Sequence, residues 1–99
     1  MPYRIEYVQT AIAHLRALTA RQRSVVFTGV DQQLMHEPTL ETRNRKQMRA
    51  NPLASWKLRL DALRVYYDVE EPPEQIVRIA AIGIKDGNEV IIGRERIRP

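Results

Sequence analysis

Residues 56 to 69, Trp-Lys-Leu-Arg-Leu-Asp-Ala-Leu-Arg-Val-Tyr-Tyr-Asp-Val, alternate apolar and polar in two runs that mirror each other about Asp61-Ala62. Alternation is the period of a half-buried strand, and two such runs joined by a two-residue turn predict a β-hairpin. The mirror also predicts which residues meet. With Leu60 opposite Leu63, Arg59 stands opposite Arg64 and Lys57 opposite Tyr66 on one face, while Trp56, Leu58, Val65 and Tyr67 fill the other. Like charges directly opposed across strands are destabilising. A chain that keeps such a pair is most simply explained by an anion that sits on that face, and Arg64→Ala is then expected to be neutral or slightly stabilising in the free protein.

At 99 residues the chain can build one small core and not two, so residues 1–99 read as a single domain. A hydrophobic content of 43% beside 28% charged residues is that of a folded chain rather than a disordered one. No apolar run approaches the roughly 20 residues of a bilayer span, and the opening Met-Pro-Tyr-Arg-Ile-Glu lacks the basic and apolar regions of a secretory signal. The expectation is a cytoplasmic protein with no membrane contact. There is no cysteine, which removes disulfides, thiolate metal sites and a thiol nucleophile. His14 and His36 are too few and too far apart for a metal site, and no metal or cofactor is expected.

The formal net charge of +4 is unevenly spread. Between Thr39 and Arg64 seven cations (Arg43, Arg45, Lys46, Arg49, Lys57, Arg59, Arg64) face two acids (Glu41, Asp61), so this stretch carries +5 and the rest of the chain −1. That is the distribution of a phosphate-facing surface.

Around the hairpin the pattern predicts an α+β chain: a small antiparallel-rich sheet with an N-terminal helix hairpin on one face, in the order β-α-α-β-β-β, with a further short strand at the end. Tyr3 to Val8 alternates as a strand. Thr10 to Leu18 reads as a short helix with Ile12 and Leu15 inward, and Thr19-Ala-Arg-Gln22 fits a capping box for a second helix. Phe27, Val30 and Leu34 mark that helix's apolar stripe, which should stop before Pro38. Residues 39 to 53 carry no clear period and read as loop or irregular strand. Ile76 to Ile84 is an apolar run of central-strand length, the turn Lys85-Asp-Gly-Asn88 follows, and Glu89 to Ile92 is a short last strand. The charged residues 94–99 read as a frayed tail.

Taken together, Asn44-Arg45-Lys46, Met48-Arg49, Trp56-Lys57-Leu58-Arg59-Leu60, Leu63-Arg64-Val65-Tyr66-Tyr67-Asp68-Val69, Val77-Arg78-Ile79 and Ala81-Ile82-Gly83-Ile84-Lys85 resemble the RelE/ParE superfamily of bacterial type II toxins. The likeness spans nearly the whole chain and is most specific in "Trp-x-Leu-Arg" followed by "Leu-Arg-Val-x-Tyr-Asp-Val". It implies a small basic cytoplasmic toxin neutralised by a cognate antitoxin protein. In its RelE branch it implies a metal-independent endoribonuclease, an mRNA interferase that cuts message on the ribosome and so inhibits translation. The family's two hairpin bases fall on Lys57 and Arg59, its phosphate-binding arginine on Arg64, and its later basic residue on Lys85; Arg43, Arg45, Lys46, Arg49 and Tyr66 are the accompanying RNA-binding candidates.

The departures are specific. The tyrosine that such enzymes carry near the C-terminus falls on Ile91, and one of the two family lysines is an arginine, which stays protonated and makes a poor base. Catalysis then rests on Lys57 or Lys85, with Tyr66 as substitute stacking residue. The alternatives are a ParE-like inhibitor of DNA gyrase, or a relative that only binds antitoxin or RNA. Among the remaining residues, Trp56 and Tyr67 read as core, His14 as a surface histidine, and Arg78 as the structural partner of Asp68 or Glu70. His36 reads as a helix-end residue beside the last carbonyls.

Overall fold

The computed structural model describes residues 2–98; Met1 and Pro99 lie outside the described residues. In chain order its elements are β1 (Arg4–Tyr7), α1 (Gln9–Arg16), α2 (Ala20–Leu34), β2 (Arg45–Gln47), β3 (Trp56–Leu60), β4 (Leu63–Glu70), β5 (Ile76–Asp86), β6 (Glu89–Ile92) and β7 (Glu95–Ile97). The sheet runs β2-β3-β4-β5-β6-β7, antiparallel throughout, and β1 adds to β5 in parallel. The α+β class, the helix hairpin on one face and the order β-α-α-β-β-β are as the pattern predicts. Two strands are additional: β2, within the aperiodic stretch 39–53, and β7, within the tail that reads as frayed.

The β3–β4 register is the one the mirror predicts, Leu60 opposite Leu63 through to Trp56 opposite Tyr67. The two-residue turn is possible because Asp61 takes a left-handed backbone with φ 54, which a short polar residue tolerates. Because strand side chains alternate, a slip of one residue would turn Leu58 and Val65, both 0% exposed, to solvent. Trp56 stacks on Tyr67 with ring centroids 6.1 Å apart. The buried Tyr67 hydroxyl donates to the Pro38 carbonyl at 2.7 Å and so ties down the chain leaving α2.

The helices cover this apolar face. Thr19 and Gln22 make the reciprocal capping box that opens α2, and the helix ends at Leu34, ahead of Pro38. Its buried stripe is Val26, Gly29, Val30 and Leu34, and that of α1 is Ala11 and Leu15. Ile12 and Phe27, expected inward, stand 37% and 43% exposed; Phe27 instead meets Tyr7 edge-on at 5.5 Å. The reason is close approach: the tight seat on α2 is Gly29, where an added methyl would come within 2.6 Å of Leu60. The helix rotates to present its small residue to the sheet.

Strand β5 holds the fold together. One edge pairs with β4 along its length, with a bulge between Tyr66 and Tyr67, and the other is shared between β1 at residues 76–79 and β6 at residues 83–86. The gap between them exposes backbone groups that α1 satisfies. Thr10 Oγ1 donates to the Ala80 carbonyl and the Ile82 N–H donates to His14 Nδ1, each at 3.2 Å. His14 is thus a half-buried structural residue rather than a surface one.

Two outcomes follow from this packing. Trp56→Ala should lower unfolding free energy by about 3–5 kcal/mol through the cavity left on Tyr67, measured by urea denaturation. His14 accepts a hydrogen bond only when Nδ1 is unprotonated, and burial lowers its pKa against a weaker opposing pull from Glu95. Its contribution is therefore complete above the ordinary histidine value of about 6.5 and is lost as pH falls from there through the lower folded value. The stability gap between wild type and His14→Ala, about 1 kcal/mol at neutral pH, should narrow on acidification to pH 5; a gap that widens would contradict the assignment.

Candidate nucleic-acid interface

The sheet face opposite the helices carries the cations, and register brings them together in rows. Arg64 lies between Arg59 on β3 and Gly83 on β5; Lys57 lies between Lys46 on β2 and Tyr66 on β4. The chain therefore opposes like charges twice, once more than the hairpin alone reveals. Lys46–Lys57 escapes a local reading because β2 has only three residues and no period of its own.

These rows floor a cleft of about 680 Å³. Lys57, Arg59, Arg64, Tyr66 and Lys85 line it, Lys46 and Arg49 with the loop Ala50–Leu53 form one wall, and Asn88, Val90 and Ile97 form the other, with Arg43 at the rim. Eight of the nine candidate residues thus converge. Arg45 does not: it sits opposite Leu58 in register, and its guanidinium donates to the carbonyls of Leu40 and Gln33, fastening the loop to the end of α2.

Tyr66 lies under this face rather than on it. At 3% exposure it has no free ring surface to stack on a base, because Ala54, Ala81, Val90 and Ile92 enclose it in a second small apolar cluster. Burial raises its hydroxyl pKa, with the neighbouring Arg64 pulling in the opposite direction, so it remains a protonated donor. Ile91 is paired with Ile84, while Val90 lines the cleft and Ile92 packs in the apolar cluster around Tyr66. The proton-bearing side chains in the cleft are accordingly its lysines and arginines with Tyr66.

Arg64 is the most constrained cation. It is 7% exposed, and one terminal nitrogen donates to the Asp61 carbonyl at 2.6 Å and the Leu63 carbonyl at 2.9 Å. Burial first, and Arg59 second, lower its pKa, yet a guanidinium remains protonated. The result is a fixed positive charge held over the hairpin turn beside the exposed Arg59.

The carboxylate that lines the cleft, Glu89, is committed to Arg96 and Arg98, and the other carboxylates in ion pairs lie elsewhere. Arg78 pairs with Glu70 and with Glu6, while Asp68, its register partner, instead accepts the Ser55 N–H. Arg96 pairs with Asp86 and Glu89, and Arg98 with Glu89, which ties the C-terminal strand to the sheet. No ion pair among the described residues involves Arg43, Lys46, Arg49, Lys57, Arg59, Arg64 or Lys85. Seven uncompensated cations about one concavity produce a strongly positive field there. Among the described residues no three His, Asp or Glu side chains gather as a metal site, and no helix is long and apolar enough to cross a membrane.

The buried contacts of Arg64 revise the expectation for its removal. Arg59→Ala should raise stability by a few tenths of a kcal/mol, because it relieves repulsion and leaves nothing unbonded. Arg64→Ala should instead cost about 1–2 kcal/mol, since two backbone carbonyls lose their donor. Denaturant midpoints of the two variants, compared with the double variant, test the sign of each.

No protein-family model matches the chain, and no curated protein matches it. Among solved structures, it resembles a chain of the RelBE2 toxin-antitoxin complex from Mycobacterium tuberculosis, with a TM-score of 0.72 and 22% identity over 86% of this chain and the whole of that one. The shared property at that identity is the fold.

Proposed function

We propose that this protein is the toxin of a toxin-antitoxin pair and acts in the cytoplasm as a metal-independent endoribonuclease on ribosome-bound messenger RNA. The observation that carries the reading is the cluster of seven cations without carboxylate partners in a cleft on a rigid sheet. An RNA backbone is the polyanion that such a surface suits, and the resemblance to a toxin-antitoxin complex agrees with it.

Cleavage of this type needs the 2′-hydroxyl deprotonated, the added charge on the phosphate stabilised and the 5′-oxygen protonated as it leaves. Arg64, held in place by its own backbone bonds, is suited to the scissile phosphate, with Arg59 beside it as a second donor. Lys57 and Lys85 carry the exchangeable protons, and Tyr66 offers a hydroxyl from below. Arg43, Lys46 and Arg49 on the rim guide the strand. The partner is an antitoxin whose acidic segment covers the same face, as a disordered chain does when it folds on binding.

In vitro translation with mapping of message 5′ ends tests this. Wild type should generate new ends within translated message, and Lys57→Ala and Arg59→Ala should each lower their yield by about 10²-fold or more while the protein stays folded. Binding to message should weaken by roughly 10³-fold between low and physiological salt. Inhibited supercoiling by gyrase with intact message would replace this reading with the ParE-like one.

A further inference from the structure

The arginines of the cleft border a second depression. Arg43, Asn44, Arg59 and Arg64 line the cationic cleft on one side and, on the other, a groove of about 710 Å³ between the hairpin tip and α2. The helix wall of this groove presents Ser24, Thr28 and Gln32, one turn apart on a single face. Its floor is Leu60 seated against Gly29, and Asp61 stands at the turn.

The chemistry changes across the arginines. On the cleft side lie lysines and arginines, which suit phosphates. On the groove side the arginines are joined by hydroxyls, amides and one exposed carboxylate, which add partners for neutral hydrogen-bonding groups. Ser and Thr hydroxyls and the Gln amide both donate and accept, and a carboxylate accepts from an exocyclic amine of a base. Sequence-specific recognition of RNA acts on unstacked bases in single strands. A strand whose phosphate rests on Arg59 and Arg64 has its next nucleotide beside α2.

We propose that this groove is a base-recognition subsite for single-stranded RNA. A nucleotide flanking the phosphate at Arg59 and Arg64 lies along α2 with its base toward Ser24, Thr28, Gln32 and Asp61. The proposal rests on the nuclease reading of the neighbouring cleft and adds to it a source of sequence preference. An acidic peptide is the less suitable occupant, because Asp61 opposes it, the helix wall offers no cation, and the groove's cations are the arginines it shares with the phosphate-binding cleft.

The test uses uncleavable 2′-O-methyl RNA in a short form, three nucleotides, and in forms extended by four nucleotides at either end, with affinity read by fluorescence anisotropy. Extension at one end should tighten binding by about tenfold, the gain of one well-placed polar contact. Thr28→Trp, which fills the groove, and independently Gln32→Ala combined with Asp61→Ala, should bring that ratio of long to short affinity to about one. Both variants are checked for wild-type melting temperature. Arg59→Ala should weaken all lengths together. A ratio that survives both groove variants overturns the proposal, as does a groove that takes an acidic peptide and no RNA. If the wild type binds none of these RNAs, or if Arg59→Ala leaves every affinity unchanged, the nuclease reading falls as well, which separates the two failures.

Discussion

Leu60 meets Leu63 across a two-residue turn, and the placement of the cations descends from that contact. Alternation then commits Trp56, Leu58, Val65 and Tyr67 to the core and leaves Lys57, Arg59 and Arg64 no other side to occupy. The hydrophobic face is what makes the electrostatic one tolerable. Burial of a single large apolar side chain is worth about 1.5–3 kcal/mol, while an opposed like-charge pair costs at most about 1 kcal/mol. Four such side chains outweigh two such pairs, so the sheet can hold charges together that would separate if free.

The second apolar cluster serves the same face from above. Tyr66, Ala81, Val90 and Ile92 form a dry patch adjoining the cations, and Gly83 makes it possible: a methyl there would meet Val90 and Ile92 at 2.5 and 2.8 Å. The cleft is thus half wall and half charge, with the Tyr66 ring held where only its hydroxyl end can matter. A buried hydroxyl beside the fixed guanidinium of Arg64 is the preorganised arrangement that stabilises developing charge without reorganisation.

How far this was legible in the sequence depends on the range of the interaction concerned. The β3–β4 hairpin is legible because fourteen contiguous residues encode both its faces and its turn. The capping box at Thr19–Gln22 is equally local. Strands β2 and β7, three residues each, carry no period and exist because neighbours supply their partners. On the helices Leu15, Val30 and Leu34 are buried as their spacing predicts, while Ile12 and Phe27 stand exposed; on α2 close packing against Leu60 selected Gly29 over the larger Phe27. His14 and Thr10 bond strand β5 at separations of 68 and 70 residues, beyond any local signal. At the cleft, eight of nine candidates converge; Arg45 departs because odd and even positions of β2 face opposite ways.

The parallel pairing of β1 with β5 has a temporal consequence. Residues 4–7 find their partner only in residues 76–79, so the first strand made waits for one of the last. Contacts of such sequence separation fold slowly, because loop closure precedes the reward of pairing. The helix hairpin that follows β1 can form early, but the sheet it must cover is not continuous until β5 has emerged and closed against β4. On a ribosome the cationic face therefore stays incomplete until β5 has emerged, and a chain interrupted ahead of residue 76 has the charges of the hairpin without the strand that holds them to the rest of the protein.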